Sequence, residues 1–319
     1  MRVVITQPIH ASQVDRLRAA GHEVSELASP CGVPSSALTP LCQGADALIC
    51  QLTDRIDACV LNVPGLRVVA NVAAGYDNID VQATSLREVH VTNTPGVLTE
   101  ASADLALALI LSVARHIPTA DATVRSGAMG PWRLLHDPMG LDLHGATLGV
   151  VGIGRIGKAT ARRAHFGFGM KIAYHSRDRD KVAEEELRAE WMPLRSLLQH
   201  ADVISLHAPL TPQTRHLINA ETLNLMKPNA ILVNTARGEL VREPDLAHAL
   251  AQGRLGGAGL DVFENEPHVH PDLLACGGNV VLTPHIGSAT AKTRQAMTSM
   301  AVDNVLAVLS GGRPLNPVA

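Results

Sequence analysis

A chain of 319 residues, 46% of them apolar, is long enough to fill two hydrophobic cores, and with only 2% aromatic residues the packing falls to Leu, Val, Ile and Ala. A formal charge of −3, with no basic block and no acidic tail, argues against nucleic acid or an anionic membrane as the main partner. Cys31, Cys42, Cys50, Cys59 and Cys276 show no CxxC spacing, so neither a disulfide framework nor a zinc site is expected and a reducing cytosol fits.

In chain order, residues 2–9 are rich in β-branched side chains and close on Pro8 and His10, which predicts a buried strand. The N-terminal apolar stretch is too short for a signal peptide. Residues 14–21 read as an amphipathic helix with a glycine stop, and residues 46–50, 66–70 and 90–93 as further strands. Strands alternating with helices imply βα units around a parallel sheet, so residues 1–98 are expected to form a small α/β domain. Thr94-Pro-Gly is a break, after which Thr99 caps a helix with Glu100 in its first turn. The helix expected over 101–116 is apolar nearly all round, as in a buried element. Its longest apolar run, 105–113, is broken by Ser112 and stops at Arg115, too short to span a bilayer. Residues 127–145 are rich in glycine and proline and carry Trp132; they read as an arm serving an interface.

The stretch TLGVVGIGRIG, residues 147–157, organises the second half of the chain. A short apolar strand runs into a glycine turn that opens a helix. Gly152 permits the turn, Gly154 lets backbone approach a pyrophosphate, and Gly157 lets helix pack on strand. The N–H groups of Arg155 and Ile156, at the positive end of the helix, would hold the phosphates. Strand-like runs recur at 171–174, 203–206, 230–234, 257–261 and 279–282, giving a six-stranded, doubly wound Rossmann sheet. A helix then runs from Ser288 to about Leu309 and is expected to return to the first domain. The fold class is therefore α/β with two Rossmann-like domains: a nucleotide domain, 99–288, inserted in a discontinuous substrate domain, 1–98 completed by 289–319.

In such sheets ligands gather beyond the carboxyl ends of the strands. That rule selects Arg237 after one strand, Glu266 in the segment after the next, and His285 after the last. A cation, a carboxylate and an imidazole beside a dinucleotide suit hydride transfer to a carbonyl. The imidazolium protonates the developing oxyanion, the carboxylate holds the ring's tautomer and favours its charged form, and the guanidinium clamps the substrate carboxylate and ketone oxygen. After the second nucleotide-domain strand, Ser176 and Arg177 stand where NAD-preferring proteins place an acid, and they suit a 2′-phosphate. NADP(H) is the expected cofactor, with NAD(H) the alternative should Asp178 or Asp180 reach the ribose.

The GIGRIG turn, NTARG, LDVFENEP and TPHIGSAT stand in the order of the D-isomer-specific 2-hydroxyacid dehydrogenase family, which the whole chain resembles. The runs RAHFGFG (163–169) and AAGYDNID (73–80) are most similar to the glyoxylate/hydroxypyruvate and 2-ketogluconate reductase branch. The resemblance implies reduction of short 2-oxo acids to D-2-hydroxy acids, with Arg237, Glu266 and His285 as the catalytic trio. It implies that backbone N–H groups around Ala74 and Gly75 hold the substrate carboxylate and that Ser288 contacts substrate. It also implies that Thr99, Thr235 and Asp261 lie along the cofactor, that no metal is needed, and that the protein is a cytoplasmic homodimer. Relatives in this branch often carry a tryptophan before the residue matching Gly140; Pro138 and Met139 stand nearest here, leaving Trp132 or Leu135 as substitutes. A D-lactate- or phosphoglycerate-type dehydrogenase and a nucleotide-sensing corepressor on the same fold are the competing readings.

Overall fold

The structure, a computed structural model, describes residues 1–27, 32–86, 89–135, 138–276 and 279–318; Cys31 lies outside them. The chain divides into two compact units, Met1–Leu98 with Ser288–Ala319, and Thr99–Gly287. Ser288, expected at the end of the nucleotide domain, groups with the first unit.

The first unit begins β1 (Arg2–Ile5), α1 (Ala11–Ala19), β2 (Glu23–Glu26), α2 (Ser35–Leu41), β3 (Ala47–Cys50), α3 (Ala58–Leu61), β4 (Val68–Asn71) and β5 (His90–Thr92). Its five strands are all parallel, in the order β2-β1-β3-β4-β5. The central strands β3 and β4 are buried at every position, as expected where both faces of a parallel sheet are covered. At the edge, β2 reads EVSE and is half exposed, so it lacks the apolar run that marks the others.

The second unit opens with α4 (Thr99–Ala114) and α5 (Ile117–Arg125), followed by β6 (Thr147–Val151), α6 (Arg155–Phe168), β7 (Lys171–His175), α7 (Lys181–Leu187) and β8 (Glu190–Trp191). It continues with α8 (Leu194–His200), β9 (Val203–Leu206), α9 (Ala220–Leu223), β10 (Ile231–Asn234), α10 (Glu243–Ala251), β11 (Gly257–Leu260), α11 (Pro271–Ala275) and β12 (Val280–Leu282). The final helix, α12 (Ala291–Leu309), belongs to the first unit, where it packs on β3, β4 and α1.

The second sheet is parallel and runs β12-β11-β10-β9-β6-β7-β8. It has seven strands where six are expected, because the two-residue edge strand β8 pairs Glu190 and Trp191 with β7. Side chains alternate across this sheet. Val203, Ile231 and Val233 join the core under α4 and α6, whereas Ile204, Leu232 and Leu260 join the core on the other face with Leu197, Leu198 and Leu246. The chain leaves β6 for β7 on one side and reaches β9 on the other, so the order reverses at β6. That reversal opens a crevice beyond the carboxyl end of β6 for a ligand. Among the described residues, no single helix is long and apolar enough to cross a membrane.

Candidate active site

The glycine turn closes the C-terminal end of β6. Gly152 takes φ +94°, and a Cβ there would lie 2.6 Å from the Ala208 nitrogen and 2.7 Å from the His207 carbonyl carbon, in the segment after β9. Only glycine suits both the angle and the approach. At Gly157 a Cβ would run into the Gly152 carbonyl oxygen. Gly154 differs: it faces open space, and as N-cap of α6 it leaves that helix without a side-chain cap. The first N–H groups of α6, on Arg155 and Ile156, thus meet a surface with room for phosphate. Beyond β10, the Thr235 hydroxyl is buried with no hydrogen-bond partner among the described residues. An open cradle at a helix N-terminus and an orphaned buried hydroxyl fit a bound dinucleotide.

At the end of β7, Ser176 is half-buried, with its hydroxyl on the Asp178 carbonyl oxygen and its own carbonyl held by the Trp191 indole. Arg177 is exposed, whereas Arg179 is taken by Glu184 at 2.9 Å. Asp180 caps α7 through the Ala183 N–H and pairs with Lys158 at 2.7 Å. Burial pushes its carboxyl up, but Lys158 and the capping N–H groups outweigh burial and hold it below the usual value.

Adjacent strand ends bring the predicted trio together. Asn234, at the end of β10, is buried and shapes the next turn: its amide donates to the Arg237 carbonyl at 2.8 Å and accepts from the Ala236 N–H at 3.1 Å. The Arg237 guanidinium donates to the Ala236 carbonyl at 2.8 Å, and its charge is felt by Glu266. Past β11, Glu266 accepts the Phe263 N–H at 3.1 Å on one oxygen and meets the His285 Nδ1 at 2.8 Å with the other. Burial raises the Glu266 carboxyl, yet the His285 hydrogen bond and charge, the Phe263 N–H and the Arg237 charge prevail and keep it low. The carboxylate fixes the proton on Nδ1, so Nε2 is the nitrogen turned to other work.

His285 takes φ +53°, a left-handed conformation uncommon outside glycine. Asp261 explains how it is held. Its carboxylate, 1% exposed, accepts from the Thr283 hydroxyl at 2.7 Å and from the Ile286 and Gly287 N–H groups at 2.8 Å each, while its carbonyl accepts the His285 N–H at 2.9 Å. The family resemblance implies that Asp261 lies along the cofactor; in the structure it anchors the turn that presents the imidazole.

In the first unit, three amide side chains shape the turn after β4. Asn93 donates to the Ala74 carbonyl at 2.7 Å and Asn71 to the Gly75 carbonyl at 2.9 Å, while Asn78 binds Asn71 and the Gln51 and Asp54 carbonyls. A trans peptide opposes its carbonyl and the following N–H, so the Gly75 and Tyr76 N–H groups point away from those amides. Neither has an acceptor among the described residues. Two neighbouring backbone donors are thus left free at this turn. Thr99 is the first residue of α4, and Ser288, half-buried, precedes the Thr290 cap of α12.

Sequence reasoning missed Glu243, Glu264 and His216, which surround the Glu266 loop. The only signal was that Glu264 lies within the LDVFENEP run.

Residues 107–287 match the NAD binding domain of D-isomer specific 2-hydroxyacid dehydrogenase. The chain belongs to that family. The glyoxylate reductase of Thermococcus litoralis is 46% identical over 321 residues, covering 99% of this chain and 96% of that one, and that of Pyrococcus furiosus is 46% identical, covering 98% and 94%. A crystal structure of a Thermus thermophilus protein superposes with a TM-score of 0.92 at 47% identity over the full length of both chains. The NADPH-dependent glyoxylate/hydroxypyruvate reductase of Sinorhizobium meliloti, solved with NADP and malonate, gives 0.85 at 35% identity, covering 100% and 96%. The dehydrogenase is thus an NAD(P)-dependent oxidoreductase, which sets aside the nucleotide-sensing reading.

Proposed function

We propose that this dehydrogenase reduces short 2-oxo acids to D-2-hydroxy acids, with glyoxylate as the leading substrate and hydroxypyruvate and 2-ketogluconate in its range. The observation that carries the reading is the His285–Glu266 pair, 2.8 Å apart, with Nδ1 spent on the carboxylate. The reduced nicotinamide, when bound, supplies the hydride to the carbonyl carbon. As negative charge builds on the carbonyl oxygen, the imidazolium of His285 donates its Nε2 proton there, and Glu266 stabilises the positive ring until it does. Arg237 offers a planar fork of donors to the substrate carboxylate and ketone oxygen. The free N–H groups at the Ala74–Gly75 turn hold the carboxylate, and Ser288 adds a hydroxyl contact.

The cofactor would lie with its pyrophosphate on Gly152, Gly154, Arg155, Ile156 and Gly157 and its nicotinamide side toward Thr99, Thr235 and Asp261. NADP(H) is preferred over NAD(H): Arg177 is uncommitted and exposed, whereas Asp180 is spent on Lys158 and the α7 cap. The protein works in the cytosol as a homodimer; the described cysteines Cys42, Cys50, Cys59 and Cys276 are all free. Steady-state assays with glyoxylate test the reading. Consumption of NADPH at a higher kcat/KM than NADH is expected, reversed by Arg177→Asp. No oxidation of either cofactor with any 2-oxo acid would refute it.

A further inference from the structure

The segment that carries Glu266 is a tight loop. The Asn265 and His268 backbones pair across it, with the His268 N–H on the Asn265 carbonyl at 2.8 Å. Its two feet, Glu264 and His270, are gripped by one side chain from another element. Glu243, the first residue of α10 and 3% exposed, accepts the Glu264 N–H on Oε1 at 2.7 Å and the His270 N–H on Oε2 at 3.1 Å. Glu264 answers in kind: its Oε2 accepts the Glu243 N–H at 2.8 Å and its Oε1 meets the His216 Nε2 at 2.6 Å. His216 in turn donates its backbone N–H to the Glu239 carbonyl at 2.8 Å, in the same segment that leads from Arg237 to α10. Where that segment passes Phe263, Gly238 leaves no room for a Cβ against the Phe263 carbonyl.

Each of the four carboxylate oxygens of Glu243 and Glu264 meets a polar group of the protein, so both side chains are engaged in holding the loop. A buried carboxylate is retained at a desolvation cost that these donors and the α10 N-terminus offset. What the arrangement fixes is position: the loop bearing Glu266 is locked to the segment bearing Arg237. We infer that Glu243 is a positioning residue, whose carboxylate, gripping both feet of the Glu266 loop, sets the carboxylate of Glu266 against the His285 ring. The inference rests on the acid–base reading of the His285–Glu266 pair. The charged or polar groups facing His285 within this unit are Glu266, Asp261 through its carbonyl, and Arg237 through Glu266.

The test is the pH dependence of kcat/KM for glyoxylate at saturating NADPH. In Glu243→Gln an amide replaces one of two acceptors, so one foot is released. Displaced, Glu266 stabilises the imidazolium less, and the alkaline limb should move to lower pH, the direction expected of Glu266→Gln. The pH-independent kcat/KM should fall about 10- to 100-fold, while the NADPH dissociation constant, read by nucleotide fluorescence, stays at the wild-type value. In the Glu266→Gln background, Glu243→Gln should cost nothing further, since both act through one group. A wild-type limb in Glu243→Gln, or a full additional loss in the double variant, overturns the inference. Should Glu243→Gln fail to fold, His270→Pro removes one of the two gripped N–H groups, along with the side-chain cap on the Asp272 N–H, at a residue whose φ is already −58°, and should give a smaller shift in the same sense; no shift overturns the inference equally. If Glu266→Gln itself behaves as wild type, the acid–base reading falls and takes the inference with it, an outcome distinct from failure of Glu243→Gln alone.

Discussion

His285 shows how much backbone work it takes to present one imidazole. Its left-handed φ would be abandoned in a free chain, and four hydrogen bonds to Asp261 from residues 283–287 hold it. Two expectations belong to this scale. His285→Gln removes the proposed proton donor but leaves the turn, so kcat should fall by about 10²- to 10⁴-fold with the cofactor dissociation constant unchanged; retained kcat would end the assignment. Arg237→Ala touches ground state and transition state alike, so KM for the 2-oxo acid should rise while kcat drops, and wild-type values of both would remove the clamp. The trio was legible in the sequence because each member follows a strand, and strand ends are where open α/β sheets gather ligands. Glu243 and Glu264 were not, because an isolated glutamate reads as a solvated charge until its neighbours in space are known.

Among elements, β9 carries a titratable group that the chemistry does not use. His207, just past its end, meets the Ser205 hydroxyl at 2.9 Å, and burial pushes its imidazole down to about 4 from an ordinary 6.5. The unfolded chain therefore takes up this proton first as pH falls. Between about 6.5 and about 4 the unfolded state binds more protons, so the stabilisation from a neutral His207 is complete above that window and lost through it, by up to about 3 kcal/mol. Thermal midpoints measured across that range should decline, and less steeply in His207→Gln; equal slopes would place the effect elsewhere. The central strands were readable because burial on both faces demands continuous apolar runs. The edge strands β2 and β8 escaped notice for the converse reason. One is polar and half exposed, the other two residues long, and only pairing with a neighbour defines them as strands.

At the scale of the whole molecule, the exposed apolar side chains between Met129 and Met139 stand out. Trp132 and Leu135 are each 84% exposed and Leu134 76%, with Met129 and Met139 also in solvent. So many large apolar side chains on one segment favour burial against a second copy. Sedimentation should find a dimer, and the double variant Trp132→Ser, Leu134→Ser should sediment as a monomer at micromolar concentration; an unchanged dimer would move the interface elsewhere. That this stretch is irregular was legible from its glycine, proline and tryptophan content, whereas the exposure of each side chain, and the burial of Leu143 at its far end, needed three dimensions.

The split first unit carries a consequence for biosynthesis. Its five strands are translated before residue 99, but α12, which covers β3 and β4, is made only after the entire second unit. At ordinary ribosomal speed that delay lasts roughly ten seconds or more. For that interval the nascent sheet waits with apolar surface bare, and a chaperone that shields it would matter most just then.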